Sequence, residues 1–399
     1  MDGQPALPVV SAMPRRPSQD HGHSTTAGHA MTPPPTPPVP APLVPAPLVP
    51  AQRNPGAAPL PPQARQRRQL LLAMAAGGAL PLQAAAQQRP KLEQPKAGAA
   101  AQGRAGPAEL SPAEPATLPQ ARQHLLASQA TGRRYRIQVS RIGPRPPGGY
   151  PVLYVLDGDA MFPVAAMAAL GMAMRADENG IAPMLLVGVG YEGGGLLDEQ
   201  ARAEDYTPPA PDLSNTGDRR ALRQGGAERF LQFLHRELQP AVAQAYPVDA
   251  GRQALLGHSY GGLFALYALL QGSPGWQTYI ASSPSIWWNQ GHIHQLRAQF
   301  AARQAQRTAH APRWLQLSIG EYEQTPSPLI DAQSPRARMM QQRGQVDQAR
   351  QFVQALQRDA VPQLSIRFQH YPQATHATAA LHALIDGLRF ASASWRAAA

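Results

Sequence analysis

Three residue types in this chain stand at spacings that could do covalent chemistry. Gly257, Ser259 and Gly261 form a G-x-S-x-G pattern between an apolar run ending at Leu256 and a second apolar run that opens at Leu263. Strand, tight turn and helix in that order put the serine on a strained corner, with its hydroxyl lifted clear of the sheet. The helix behind it offers free N–H groups and the positive end of a dipole to a developing oxyanion. A serine hydroxyl is a weak nucleophile at neutral pH and needs a base, usually a histidine held by a third group. His376 lies six residues beyond the last expected strand and just before the last expected helix, where such a base belongs. His370 and His382 are the other imidazoles nearby, and they suit surface or packing roles. His258, beside the serine, is expected to point away from it.

The acid should follow the strand that ends at Ile319-Gly320, where Glu321, Tyr322 and Glu323 stand. Glu321 is nearest the strand end and is the favoured acid, with Glu323 the alternative. A Ser–His pair with no acid is the third option. Of the two oxyanion donors, the Tyr260 N–H follows the nucleophile directly. The turn at Gly158-Asp159, after the first buried strand, is expected to supply the other. Asp157 and Asp159 have no spaced His or Asp partners, so neither metal nor cofactor is expected.

These groups need a scaffold, and the order of elements supplies one. Strands are expected at 134–139, 152–156, 184–189, 278–281, 314–319 and 364–370, besides the serine strand. Helices are expected at 161–174, 228–246, 293–305, 341–360 and 378–390, besides the one after Ser259. The continuous apolar runs at 152–156 and 184–189 read as strands covered on both faces. Alternation of this kind predicts an α/β fold with a mostly parallel sheet and helices on both faces. Residues 202–226 read as a long polar loop placed where a lid or specificity loop would sit.

Composition divides the 399 residues in two. Residues 1–106 hold 21 of the 44 prolines and no Phe, Trp or Tyr, a mixture too poor in core-forming side chains to offset its ordering entropy. Residues 107–399 are expected to form one large domain. The net charge of +11 is uneven: residues 1–106 carry ten Lys and Arg against three Asp and Glu. No basic face with interleaved aromatics follows from this, so nucleic acid is not an expected partner. There is no cysteine, which excludes disulfides and thiol chemistry. Around residues 65–86, Arg67-Arg68 precede a short apolar stretch and a run of alanines. This resembles a twin-arginine signal for export to the periplasm, and the stretch is too short to be a stable membrane span.

Several motifs together resemble the esterase-D-like α/β-hydrolases. They are Tyr150-Pro151-Val152-Leu153-Tyr154-Val155-Leu156-Asp157-Gly158, Val187-Gly188-Val189-Gly190-Tyr191, Asp205-Tyr206-Thr207-Pro208 behind Arg202, Gly257-His258-Ser259-Tyr260-Gly261-Gly262 and Ser283-Pro284-Ser285 before Trp287-Trp288. The resemblance runs from about residue 130 to 390 and is nearest to the siderophore esterases that open the trilactones enterobactin and salmochelin. It implies Ser259 as nucleophile, His376 as base, and Tyr260 with Gly158 and Asp159 as the oxyanion site. Arg202 would anchor an anionic or catecholate arm, and Trp287 and Trp288 could wall the cleft and stack on aromatic rings. The implied partner is a small ester, such as a ferric siderophore. A general carboxylesterase or thioesterase with small acyl substrates, and a non-catalytic binding protein on the same scaffold, are the rival readings.

Overall fold

The structure, a computed structural model, describes residue 113 and residues 115–398. The Pro-rich tail, the signal-like stretch at 65–86 and the expected boundary at 107 lie outside the described residues.

Eight strands form one sheet: β1 (Ala121–Ala127), β2 (Arg134–Ile142), β3 (Tyr150–Leu156), β4 (Met184–Tyr191), β5 (Val248–His258), β6 (Thr278–Ser282), β7 (Arg313–Gly320) and β8 (Leu364–Tyr371). Their spatial order is β1-β2-β4-β3-β5-β6-β7-β8. β2 pairs antiparallel with β1 and β4, and every other pairing is parallel. The helices are α1 (Gly158–Ala173), α2 (Ala176–Asn179), α3 (Glu199–Tyr206), α4 (Ala227–Phe233), α5 (Gln239–Ala245), α6 (Tyr260–Leu270), α7 (Ile293–Ala305), α8 (Pro335–Arg343), α9 (Gln345–Arg358) and α10 (His376–Ala397). The fold is that of the α/β-hydrolases.

Alternation along β3 divides the core. Val152, Tyr154 and Leu156 point into a cluster with α3, α4, α6, α7 and α9, and Leu153 and Val155 into one with α1 and α10. Behind α6, Phe264 packs on Phe230 with ring centroids 5.0 Å apart and on Tyr206 at 5.9 Å. Each such buried aromatic contributes roughly 1.5–3 kcal/mol, so the helix that carries the nucleophile turn has a stiff backing. After β3 the chain returns to β4 on one side, and after β5 it moves on to β6 on the other. The crevice above β3 and β5 is therefore the switch point where ligands bind in open α/β sheets. Both Asp157-Gly158 and Ser259 sit there.

Several elements differ from the expectations. β1 was not expected, because ARQHLLA is an edge strand with mostly exposed side chains and no clean alternation. α3 lies across the start of the expected polar loop. Asp198 caps it by accepting from Ala201 N at 2.9 Å, and its Ala203 and Tyr206 are buried. The helix expected at 341–360 is two helices, broken at Gly344 with φ +54°. The helix expected at 228–246 is continuous through a π turn at Leu234–Leu238.

The corner at Ser259 has φ +60° and ψ −116°, a conformation unfavourable for a side-chain-bearing residue. It is held by Ser259 N donating to Ser282 O at 2.9 Å and Ser285 N donating to Ser259 O at 3.2 Å. A Cβ on Gly257 would lie 2.1 Å from Gly261 O, and one on Gly262 2.6 Å from Ser282 O. A Cβ on Gly261 would meet only ordinary contact at 3.5 Å from Leu156 Cβ, so Gly257 and Gly262 carry the steric requirement. Gly257→Ala should lower stability by more than ~4 kcal/mol, the exceptional end of single substitutions. Gly261→Ala should stay folded. Thermal unfolding of both purified variants checks the contrast, and equal melting temperatures would contradict it.

Candidate active site

One cleft of about 200 Å³ is lined by Ser259, Glu323 and His376, together with Trp287, Tyr322, Arg336 and Arg343. Each of the first three comes from a different part of the sheet's carboxyl edge. Ser259 follows β5, Glu323 lies in a single 3₁₀ turn (Glu321–Glu323) after β7, and His376 opens α10 beyond β8.

Glu323, rather than Glu321, holds the histidine. His376 Nδ1 meets Glu323 Oε2 at 2.6 Å. The 3₁₀ turn decides between the two acids. Gly320 N donates back to Glu323 Oε1 at 2.7 Å, and this draws the third residue of the turn inward. Glu321 is turned outward and accepts from Gln373 N at 2.7 Å, while Tyr322 N donates to Ala374 O at 2.9 Å. Glu321 therefore braces the loop that delivers His376 without touching the imidazole. A G-x-x-E signature at the end of a strand was the available signal for Glu323.

The Glu323 side chain is 1% exposed. Burying a carboxylate is costly unless it is fully bonded. Four donors reach it: Gly320 N and Ser283 Oγ (2.6 Å) at Oε1, and His376 and Gln345 Nε2 (2.8 Å) at Oε2. His376 is 47% exposed, with its Nδ1 committed to the acid and Nε2 left for proton transfer. Thr375 caps α10 by accepting from Thr378 N, which sets the backbone at His376. No direct Ser259–His376 hydrogen bond is formed; such contacts commonly tighten only when substrate binds.

The expected oxyanion donors divide into two environments. Ser259 N is occupied by Ser282 O, which leaves Tyr260 N at the free end of α6. Across the switch point, Ala160 N and Met161 N both return to Asp157 O, so Gly158 and Asp159 carry the open N–H groups of α1. The Asp159 carboxylate itself points to Arg136 Nη1 at 2.5 Å and to Tyr191 N at 3.1 Å.

Two expected substrate contacts are committed to internal partners and lie off the cleft lining. Arg202 grips Asp157 with both arms, Nε to Oδ1 at 2.9 Å and Nη2 to Oδ2 at 2.8 Å, and neither group lines the cleft. Burial alone would lower the Arg202 pKa, but the facing Asp157 carboxylate more than offsets this and raises it. Asp157 is left-handed at φ +53°, so the pair pins the turn that carries Gly158. Trp288 is fully buried, with Nε1 donating to Gln224 Oε1 at 2.5 Å, and is core. Its neighbour Trp287 does line the cleft.

Sequence reasoning missed the helix α8. It contributes Arg336, Met339, Met340 and Arg343 to the cleft, and the Arg343 guanidinium lies 3.9 Å from the Trp287 ring centroid. The Arg343 pKa is lowered by burial, an effect opposed by the nearby Tyr260 and Asp218. Among the described residues no cluster of His, Asp and Glu is arranged to hold a metal, and no helix is long and apolar enough to cross a membrane.

A nucleophile on a strained corner, a base held by a buried acid and free helix-end N–H groups define a serine hydrolase on the α/β-hydrolase fold. The chain belongs to the Esterase family ("Putative esterase"), whose pattern matches residues 128–356. It is 36% identical over 212 residues to the ferri-bacillibactin esterase BesA of Bacillus subtilis, covering 52% of this chain and 72% of that protein. It is 35% identical over 233 residues to the siderophore triacetylfusarinine C esterase of Aspergillus fumigatus, covering 52% and 75%. Among solved structures, the siderophore hydrolase EstA from Aspergillus nidulans superimposes with a TM-score of 0.62 at 28% identity, over 72% of this chain and 98% of that one.

Glu323→Gln keeps the shape but replaces one acceptor oxygen with a donor, so at least one of the four bonds fails. Its kcat should fall by roughly 10³–10⁴, the scale seen when the acid of a triad becomes an amide. Glu321→Gln should lose under about tenfold. Steady-state kinetics on a p-nitrophenyl ester separates the two, and the reverse ranking would return the acid to Glu321.

Proposed function

We propose that this enzyme hydrolyses the ester bonds of an iron-chelating siderophore with anionic aromatic arms, of the tris-catecholate lactone type. Ser259 Oγ attacks the ester carbonyl carbon as its proton passes to His376 Nε2, and Glu323 stabilises the imidazolium at Nδ1. The oxyanion takes bonds from Tyr260 N–H and from the Gly158-Asp159 turn. The carbonyl re-forms, and the leaving alkoxide carries off the proton from His376. Water then attacks the acyl-serine, His376 accepts its proton and returns it to Ser259, and the acid leaves. No cofactor enters these steps.

The observation that carries this reading is the basic and aromatic lining that the cleft shares with the nucleophile. Arg343 lies over the Trp287 ring, 3.9 Å from its centroid, and Arg336 and Tyr322 line the same cleft. Anionic aromatic rings suit such a wall by stacking and by charge together. The names of the relatives, a ferri-bacillibactin esterase and siderophore esterases and hydrolases, support a siderophore ester. The cleft volume favours a second reading: about 200 Å³ is below the usual range for drug-sized ligands and would hold a single acyl arm. A general carboxylesterase or thioesterase for small acyl groups fits that size. We also propose export to the periplasm, on the signal-like residues 65–86.

A panel of enterobactin, its ferric complex, p-nitrophenyl acetate and p-nitrophenyl butyrate, read by mass spectrometry, should show lactone opening. Ser259→Ala should lower kcat by about 10⁴–10⁶. Brisk turnover of the short esters with the lactone untouched would favour the small-acyl reading. Replacing Arg336 and Arg343 together with Gln should raise KM for a catecholate ester about tenfold, roughly 1.4 kcal/mol. Turnover of p-nitrophenyl butyrate should be unchanged. Equal effects on both substrates would remove the charge argument.

A further inference from the structure

His258 precedes the nucleophile and is not part of the triad, yet its ring lies against the base. The His258 and His376 centroids are 4.4 Å apart with their planes inclined by 43°. His258 is itself anchored: its Nδ1 meets Ser282 Oγ at 2.9 Å, its residue pairs with Ser282 in the β5–β6 ladder, and its carbonyl receives Arg202 Nη2 at 3.5 Å. Burial first, then the neighbouring His376 and Arg202, push its pKa well below the usual imidazole value, so it stays neutral in the working enzyme. His376 has a single hydrogen bond, at Nδ1, and is 47% exposed. That bond holds the Nδ1 edge alone, and the outer, Nε2-bearing part of the ring has no hydrogen-bond partner to fix its tilt.

We propose that His258 is a positioning residue for catalysis: its ring forms the wall that fixes the plane of His376, so that Nε2 is aimed at Ser259. Glu323 sets where the imidazole sits, and His258 sets how it is turned. Misplacement of a reacting group by about 1 Å can cost ~10²-fold in rate, which gives the scale of the effect. A neutral aromatic face serves this purpose better than a charged one, because a cation at this point would oppose the imidazolium that forms on His376 during turnover. Nothing in this role depends on the identity of the ester.

The test uses p-nitrophenyl butyrate, so it stands apart from the siderophore reading. Active sites are counted by titration with a fluorophosphonate, and kcat is expressed per labelled site. His258→Ala should lose about 30–100-fold in kcat with KM within about twofold. His258→Phe, which restores a ring face but not the Ser282 bond, should recover to within about threefold of the parent. The proposal is overturned if His258→Ala keeps kcat within threefold, if its loss appears in KM, or if His258→Phe is as impaired as the alanine variant. Should the alanine variant fail to fold, the phenylalanine variant still decides: near-parental kcat supports the ring-face role, and a large loss with normal labelling stoichiometry refutes it.

Discussion

The Glu323 carboxylate is the point at which the site is assembled. It sits out of water, and its four donors belong to four different places: the end of β7, the turn after β6, the start of α9 and the start of α10. A buried acid with full hydrogen bonding is tolerable, and the same acid with a missing partner is expensive. The cost of any incomplete arrangement therefore selects the one in which all four elements have closed together. His376 becomes correctly placed as part of that closure, which ties the position of the base to the integrity of half the sheet edge.

A second ionic contact plays a parallel part on the other side of the crevice. Arg202 and Asp157 hold the left-handed turn after β3, and Tyr206 backs it by accepting from Asp157 N. The two networks flank Ser259, one toward the base and one toward the oxyanion donors. Between them, the corner itself is kept in a strained backbone conformation by contacts from Ser282 and Ser285. The strain at the nucleophile is thus held from both sides.

Much of this was legible in the residues, and what was not has physical reasons. Ser259 and His376 were identifiable because local apolar runs mark the strand ends that carry them. The choice between Glu321 and Glu323 was not, since it turns on one 3₁₀ turn and on where Gly320 N bonds. Arg202 reads equally as a substrate anchor or as a surface partner of Glu204 or Asp205 until Asp157, 45 residues away in sequence, is seen beside it. Trp287 and Trp288 are adjacent, and only the direction of the chain in the turn after β6 decides which faces the cleft. β1 and α3 escaped notice because a polar edge strand and a helix with buried Glu204 and Asp205 both lack the apolar periodicity that pattern reading relies on.

The break at Gly344 separates two kinds of constraint. On its far side, Gln345 donates to the acid and helps to hold it. On its near side, α8 lines the cleft with Arg336, Met339, Met340 and Arg343 and gives no hydrogen bond to Glu323 or His376. Substitutions along the nine residues of α8 can therefore reshape the cleft wall, and with it the choice of ester, while the hydrogen-bonded groups around Glu323 stay as they are.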